Sequence, residues 1–191
     1  MMAAQENLAF IDFAGPAEWE LWLANHHEQE GEAWLRIAKK DAGVTSVTIT
    51  EALDVALCYG WIDSHRKGFD GSCYLQRYSP RRAKSPWSLV NVRKAEKLME
   101  KGLMQPAGYK EIELAKADGR WDAAYESQKS AVVPPDLEAA LERHEQAKRA
   151  FIELDRTAQY NMFLPLLKAT TEKSRAAQLQ KAIAKLEAVR S

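Results

Sequence analysis

The sequence predicts an α+β protein: a small mixed sheet with a hairpin at about 61–79, packed by helices, then a helical C-terminal subdomain. Three observations predict this class. Short strand-like apolar runs are confined to residues before Pro80. Gly68-Phe69-Asp70-Gly71 separates two of those runs, as a hairpin turn does. From Leu137 onward the apolar residues recur only at helical spacing. The expected organisation is an α+β domain over 1–130 and a helical subdomain over 131–191.

The elements follow in order. Leu8 to Phe13 alternates loosely and reads as a short strand, which Gly15-Pro16 breaks. Proline suits a first helical turn, and Trp19, Trp22 and Leu23 give residues 17–27 an apolar helical face. Ala33 to Ala38 suits a strand. Thr50 is placed to cap a helix over 51–59, which Gly60 stops. Residues 61–67 and 72–79 form the hairpin. Ser88 caps a helix over 89–101, closed by Gly102, and Pro106 opens another that ends at Gly119. Residues 120–133 read as irregular. The remainder is helical, with Pro165 expected to kink or divide one helix.

Composition narrows the function classes. The chain has 191 residues, 46% of them apolar, which is ample for a packed core. Its 27 basic and 27 acidic residues cancel, which argues against a dedicated nucleic-acid binder. No apolar run is long enough to insert in a bilayer, and no signal peptide is visible. Two cysteines, Cys58 and Cys73, make neither a CxxC nor a disulfide framework, so a reduced, cytoplasmic setting is expected. Cys58 reads as an inert core thiol. No zinc motif, dinucleotide fingerprint or phosphate loop occurs, so no metal and no cofactor is expected. The neutral total hides segregation. Residues 1–60 hold 3 basic and 10 acidic residues, whereas 61–101 hold 10 basic and 4 acidic. The basic stretch is interleaved with aromatics, which fits recognition of carboxylates, phosphates or rings. It equally fits pairing with the acidic first third.

With a turn at 68–71, Lys67 opposes Ser72, His65 opposes Tyr74, Asp63 opposes Gln76 and Trp61 opposes Tyr78. One strand face then carries an acid, an imidazole, an amide, phenols and an indole. Such a face is either solvated or the floor of a polar pocket. Asp63 beside His65, with Tyr74 near, suits acid–base catalysis. Trp61, Gln76, Arg77, Arg81, Trp87, Ser88 and Asn91 are the candidate ligand-binding residues, with the arginines holding charge and the indoles stacking. The structural alternatives are surface positions for Asp63 and His65, salt bridges for the arginines, core for Trp87 and a helix cap for Ser88.

Several blocks also carry a family resemblance. They are Cys58-Tyr59-Gly60-Trp61-Ile62-Asp63-Ser64, Gln76-Arg77-Tyr78-Ser79-Pro80-Arg81-Arg82, and Ser85-Pro86-Trp87-Ser88 with Asn91. Gly102-Leu103-Met104-Gln105-Pro106-Ala107-Gly108, Ala117-Asp118-Gly119-Arg120-Trp121 and Val133-Pro134-Pro135-Asp136-Leu137 follow. Over about residues 45–185 the chain resembles the YdeI/OmpD-associated family (OmdA-like, bacteriocin-protection). It departs from the pattern at Ser174-Arg175, where the family shows Thr-Arg, and at Gln178, where it shows a second Arg. The resemblance implies a link to stress and bacteriocin resistance but no defined reaction. Three readings stand. The first is a cleft, formed by the hairpin and the 80–91 segment, that binds a small-molecule anion, an aromatic ligand or a peptide. The second is a metal- and nucleotide-independent enzyme, for example in secondary metabolism, using Asp63 and His65. The third is protein–protein interaction through the C-terminal helices, above all an Ala-rich one over 172–189. Oligomeric state is not read from the sequence.

Overall fold

The computed structural model describes residues 8–188. They form two compact units. The first runs through Ser85 and takes in Arg93–Leu114, while the second comprises Pro86–Val92 and the chain from Ala115 onward. The fold class is α+β, with all-helical structure at the C-terminal end.

In the first unit, α1 (Pro16–His26) begins on proline and presents Trp19 and Leu23 inward, both fully buried. Helix α2 (Ile49–Cys58) is capped by Thr48, not Thr50. The Thr48 side chain accepts from Glu51 N, and the Glu51 carboxylate accepts from Thr48 N, a reciprocal capping box. Strands β1 (Ala33–Ala38), β2 (Trp61–Gly68) and β3 (Cys73–Pro80) make an antiparallel sheet in the order β1-β3-β2. The Leu8–Phe13 strand does not form. Only Ile11 reaches the sheet, in a single parallel bridge to Leu35, so the expected mixed sheet is antiparallel but for that bridge. Helices α3 (Leu89–Glu100) and α4 (Pro106–Ala117) follow, and each has residues in both units.

The inward sheet face carries Leu35, Ile37, Trp61, Gln76 and Tyr78, all at least 98% buried. Trp19 centres that core. Its ring lies 5.7 Å from Tyr78 and 6.2 Å from Trp61, and its indole N–H donates to Ala52 O. The basic stretch partly neutralises the acidic first third, as the second reading of the charge pattern expects. Arg77 pairs with Glu32 at 2.5 Å and Lys94 with Asp54 at 2.5 Å.

The second unit holds α5 (Pro135–Leu141), α6 (Glu145–Glu153), α7 (Arg156–Leu167) and α8 (Glu172–Glu187) around Leu137, Phe163, Leu166 and Leu186. Pro165 does not divide its helix, because it falls in the last turn of α7. Arg175 grips both carboxylate oxygens of Asp136 at 2.7 and 2.9 Å and donates to Leu166 O. The apolar face of α8 is spent on this core, with Ala182, Ile183 and Leu186 buried in it.

Candidate functional site

The hairpin does not present the expected polar face. Trp61 pairs with Pro80 and Asp63 with Tyr78, two positions from the expected register. A β-bulge then intervenes, and Arg66 pairs with Gln76. The shift of two keeps Trp61 and Asp63 on the Tyr78 face. The bulge brings Arg66 onto that face and leaves His65 exposed. Gln76 holds the bulge together. Its carboxamide N–H groups donate to Ser64 O and His65 O, and its oxygen accepts from Arg66 Nε at 3.1 Å. The expected pocket floor is thus the packed side of the sheet, with its amide satisfied from within.

Asp63 and His65 share neither a hydrogen bond nor an ion pair. Two residues apart across a bulge, they have lost the common face that a regular strand would give them. Burial pushes the Asp63 carboxyl above its ordinary value, against the pull of its own backbone N–H, Arg66 and Arg81. The Tyr74 ring is covered by the Arg66 guanidinium at 4.3 Å, and burial raises its phenol. Arg77 is held by Glu32 and by Ser64 Oγ. Trp87, Ser88 and Asn91 belong to the second unit. There Trp87 meets Trp121 edge-on at 4.9 Å, and Ser88 Oγ accepts from Asn91 N in its capping role.

Two of the candidates do line a recess of about 600 Å³ in the first unit: Trp61 and Arg81. The recess exists because two sequence blocks meet at one corner. Gly60 takes φ +71, a left-handed conformation that ends α2 and turns the chain into β2. Its carbonyl accepts from Arg81 N at 3.0 Å, which brings the end of β3 to the same point. Cys58 O accepts from Gln105 N at 3.1 Å. Gly108 then lets α4 lie directly on the end of α2. A Cβ at Gly108 would run into Cys58 O and Met104 Sδ and come within 2.8 Å of Leu57 O.

Around this corner stand His27 and Glu28 just after α1, Tyr59 and Trp61, Pro80 and Arg81, and Gln105 with the first turns of α4 (Ala107, Lys110, Glu111). Arg81 is 93% buried, whereas Lys110 is exposed at the rim. A helix N-terminus favours negative charge, and the start of α4 lies on the recess wall. His27 Nδ1 lies 2.8 Å from Leu23 O. A carbonyl only accepts, so Nδ1 carries the proton and Nε2 is the acceptor of the neutral ring. The ring rests edge-on against Tyr59 at 5.3 Å, and Nε2 lies 4.0 Å from the Glu28 carboxylate. Burial lifts the Tyr59 phenol and pushes the Cys58 thiol up to about 11, so Cys58 stays protonated and inert near neutral pH.

His27, Tyr59, Gln105, Lys110 and Glu111 were not among the expected site residues. The legible signal was the pair of glycines, Gly60 and Gly108, each marking a close backbone approach. Among the described residues, no cluster of three His, Cys, Asp or Glu side chains is placed to hold a metal ion. No helix there is long and apolar enough to cross a membrane.

Comparison with known proteins gives two matches. Residues 11–111 match the family model described as Domain of unknown function (DUF8412). Residues 130–188 match the model described as Bacteriocin-protection, YdeI or OmpD-Associated. No curated protein and no solved structure matches the chain.

Proposed function

Since the chain belongs to the DUF8412 family through residues 11–111 and carries a Bacteriocin-protection, YdeI or OmpD-Associated domain over 130–188, we propose that it is a binding protein for a small anionic aromatic ligand. The observation that carries this reading is the composition of the 600 Å³ recess. A buried arginine, a rim lysine and a helix N-terminus line it, backed by the largely buried rings of Tyr59 and Trp61. Its volume falls in the range of small-molecule sites. The expected cleft is thereby moved. It rests on Trp61 and Arg81 of the hairpin, but on α1 and α4 instead of the 85–91 segment. A part in bacteriocin protection or stress resistance, acting in the cytoplasm, belongs to the same proposal.

The test is isothermal titration with three aromatic carboxylates: 3-phenylpropionate, 3-(4-hydroxyphenyl)propionate and indole-3-propionate. At least one should bind. Lys110→Glu should weaken it about tenfold or more, since a charge-assisted contact is worth roughly 1.5–3 kcal/mol. Lys110 is exposed, so this change leaves the fold intact. A bound carboxylate indifferent to Lys110→Glu and to Arg81→Lys would remove the recess from consideration.

One observation favours acid–base catalysis as a second reading. The imidazole that lines this recess is His27, with its tautomer fixed by Leu23 O, and His65 does not line it. On that reading, turnover would depend on His27 and survive His65→Ala.

A further inference from the structure

The second unit carries a groove of about 450 Å³ between the end of α5 and α8. We infer that a second copy of this chain docks there, its own α8 lying antiparallel to the first across a two-fold axis at Gln180. The inference goes beyond the proposed ligand-binding function and stands without it.

Ala140 of α5 and Ala176, Leu179, Ile183 and Ala184 of α8 supply the apolar lining. Ile183 is buried against the core of the unit, but Ala176 and Ala184 are exposed. The groove therefore opens beside the core-facing side of α8. Lys173, Ala176, Gln180, Ala184 and Glu187 recur three or four residues apart, which places them along one side of the helix, and all five are exposed. That side has a positive end, an uncharged middle and a negative end. Lys181 and Lys185 lie at least about 100° round the helix from Gln180. Short side chains in the middle allow a second helix to approach closely.

Charge complementarity selects the occupant and its direction. In an antiparallel pair centred on Gln180, Ala176 faces Ala184 of the second copy and Lys173 faces its Glu187. Two-fold symmetry provides each contact twice. Glu187 Oε1 is 2.8 Å from His144 Nδ1, which leaves the second carboxylate oxygen for an incoming ammonium group. Arg143 lines the same end of the groove, and the first turn of the arriving helix brings Glu172 there together with Lys173. Gln180 meets its own copy at the axis, where a carboxamide can both donate and accept. A parallel pair would set Lys173 against Lys173 and Glu187 against Glu187. A foreign helix bearing only acids or only bases would match one end and be repelled at the other. The helix whose charges match both ends is α8 itself, reversed.

Sedimentation velocity of the full chain, from low micromolar to sub-millimolar protein, tests this. A contact of one helix on another is small, so the expected dimer is weak and concentration-dependent. Lys173→Glu and Glu187→Lys should each weaken it about tenfold or more, because each sets like charges face to face at both ends of the interface. The double variant Lys173→Glu/Glu187→Lys reverses both charges and should restore the dimer, which a merely structural role for either residue would not do. Ala184→Arg, which fills the groove, should abolish association. A wild type that stays monomeric throughout, or a dimer unmoved by both single charge changes or by Ala184→Arg, would overturn the docking surface. Single changes that weaken the dimer without restoration in the double variant would overturn the antiparallel pairing. All three positions are exposed, and circular dichroism melts confirm that each variant is folded.

Discussion

Asp63 shows how one residue can be legible in identity and illegible in role. As an acid two positions from a histidine, it was expected to act in a dyad. In the folded chain it lies opposite Tyr78 on the packed side of the sheet, and burial raises its carboxyl above the ordinary 3.8. The folded state therefore binds more protons than the unfolded state between 3.8 and the raised value. Stability from this group falls as pH rises through that window, and the cost is present in full above it. Asp63→Asn removes the ionisable group, so the variant should melt higher than wild type at pH 7. The gain should vanish at pH values below 3.8, where the wild-type carboxyl is protonated in both states. Thermal melts across pH 3 to 7 check the sign. A variant less stable at pH 7 would show that Arg66 and Arg81 outweigh burial. Arg77 teaches a similar lesson: its guanidinium already has a carboxylate, Glu32, from the acidic first third.

At the scale of elements, the contact between α2 and α4 gives the recess its shape, and Gly108 permits it. Alanine is the better helix former by about 1 kcal/mol, so propensity alone predicts that Gly108→Ala stabilises. The new methyl would meet Cys58 O and Leu57 O, backbone atoms that cannot turn aside, as well as the yielding Met104 Sδ. Overpacking of this kind costs roughly 1–3 kcal/mol and here involves backbone, so the clash wins. Gly108→Ala should lower the denaturation midpoint, read by urea unfolding. An unchanged or raised midpoint would mean that α4 can slide away from α2 at little cost. The hairpin shows the opposite balance. Its existence and turn were plain from Gly68 to Gly71, but the bulge at Ser64 and His65 was not. Nothing local forces it, and it persists because the Gln76 carboxamide binds the two carbonyls it leaves unpaired.

At the scale of the whole molecule, the two units use their motif residues in different ways. In the second, the Ala117–Trp121 block is explained by local geometry. Gly119 takes φ +79, Arg120 Nε donates to the Asp118 carboxylate, and Trp121 N donates to Ala115 O. Arg175, the survivor of the Thr-Arg pattern, is a structural clamp on Asp136. It holds that carboxyl below the ordinary value. Arg175→Ala should cost about 1 kcal/mol, less than a buried pair, because both side chains are about a third exposed and solvent screens them. The wild-type advantage should be present near neutral pH and fade as pH falls below 3.8. Hydrogen exchange should quicken in α5, α7 and α8 while the sheet of the first unit keeps its protection. Equal loosening of the sheet would contradict a clamp local to the second unit. The sequence by itself determined the α+β class, the strand at 33–38, the hairpin and most helix limits. Those depend on periodicity, proline and glycine within a few residues of one another. Only the tertiary structure decided that Trp61, Gln76 and Tyr78 turn inward while His65 stays exposed, and that Leu8 to Phe13 contributes one bridge. It alone brought Gly60 and Gly108, nearly fifty positions apart, to a common corner that opens a recess. Such contacts depend on which surfaces meet after the chain has crossed long distances, and no local pattern encodes that meeting.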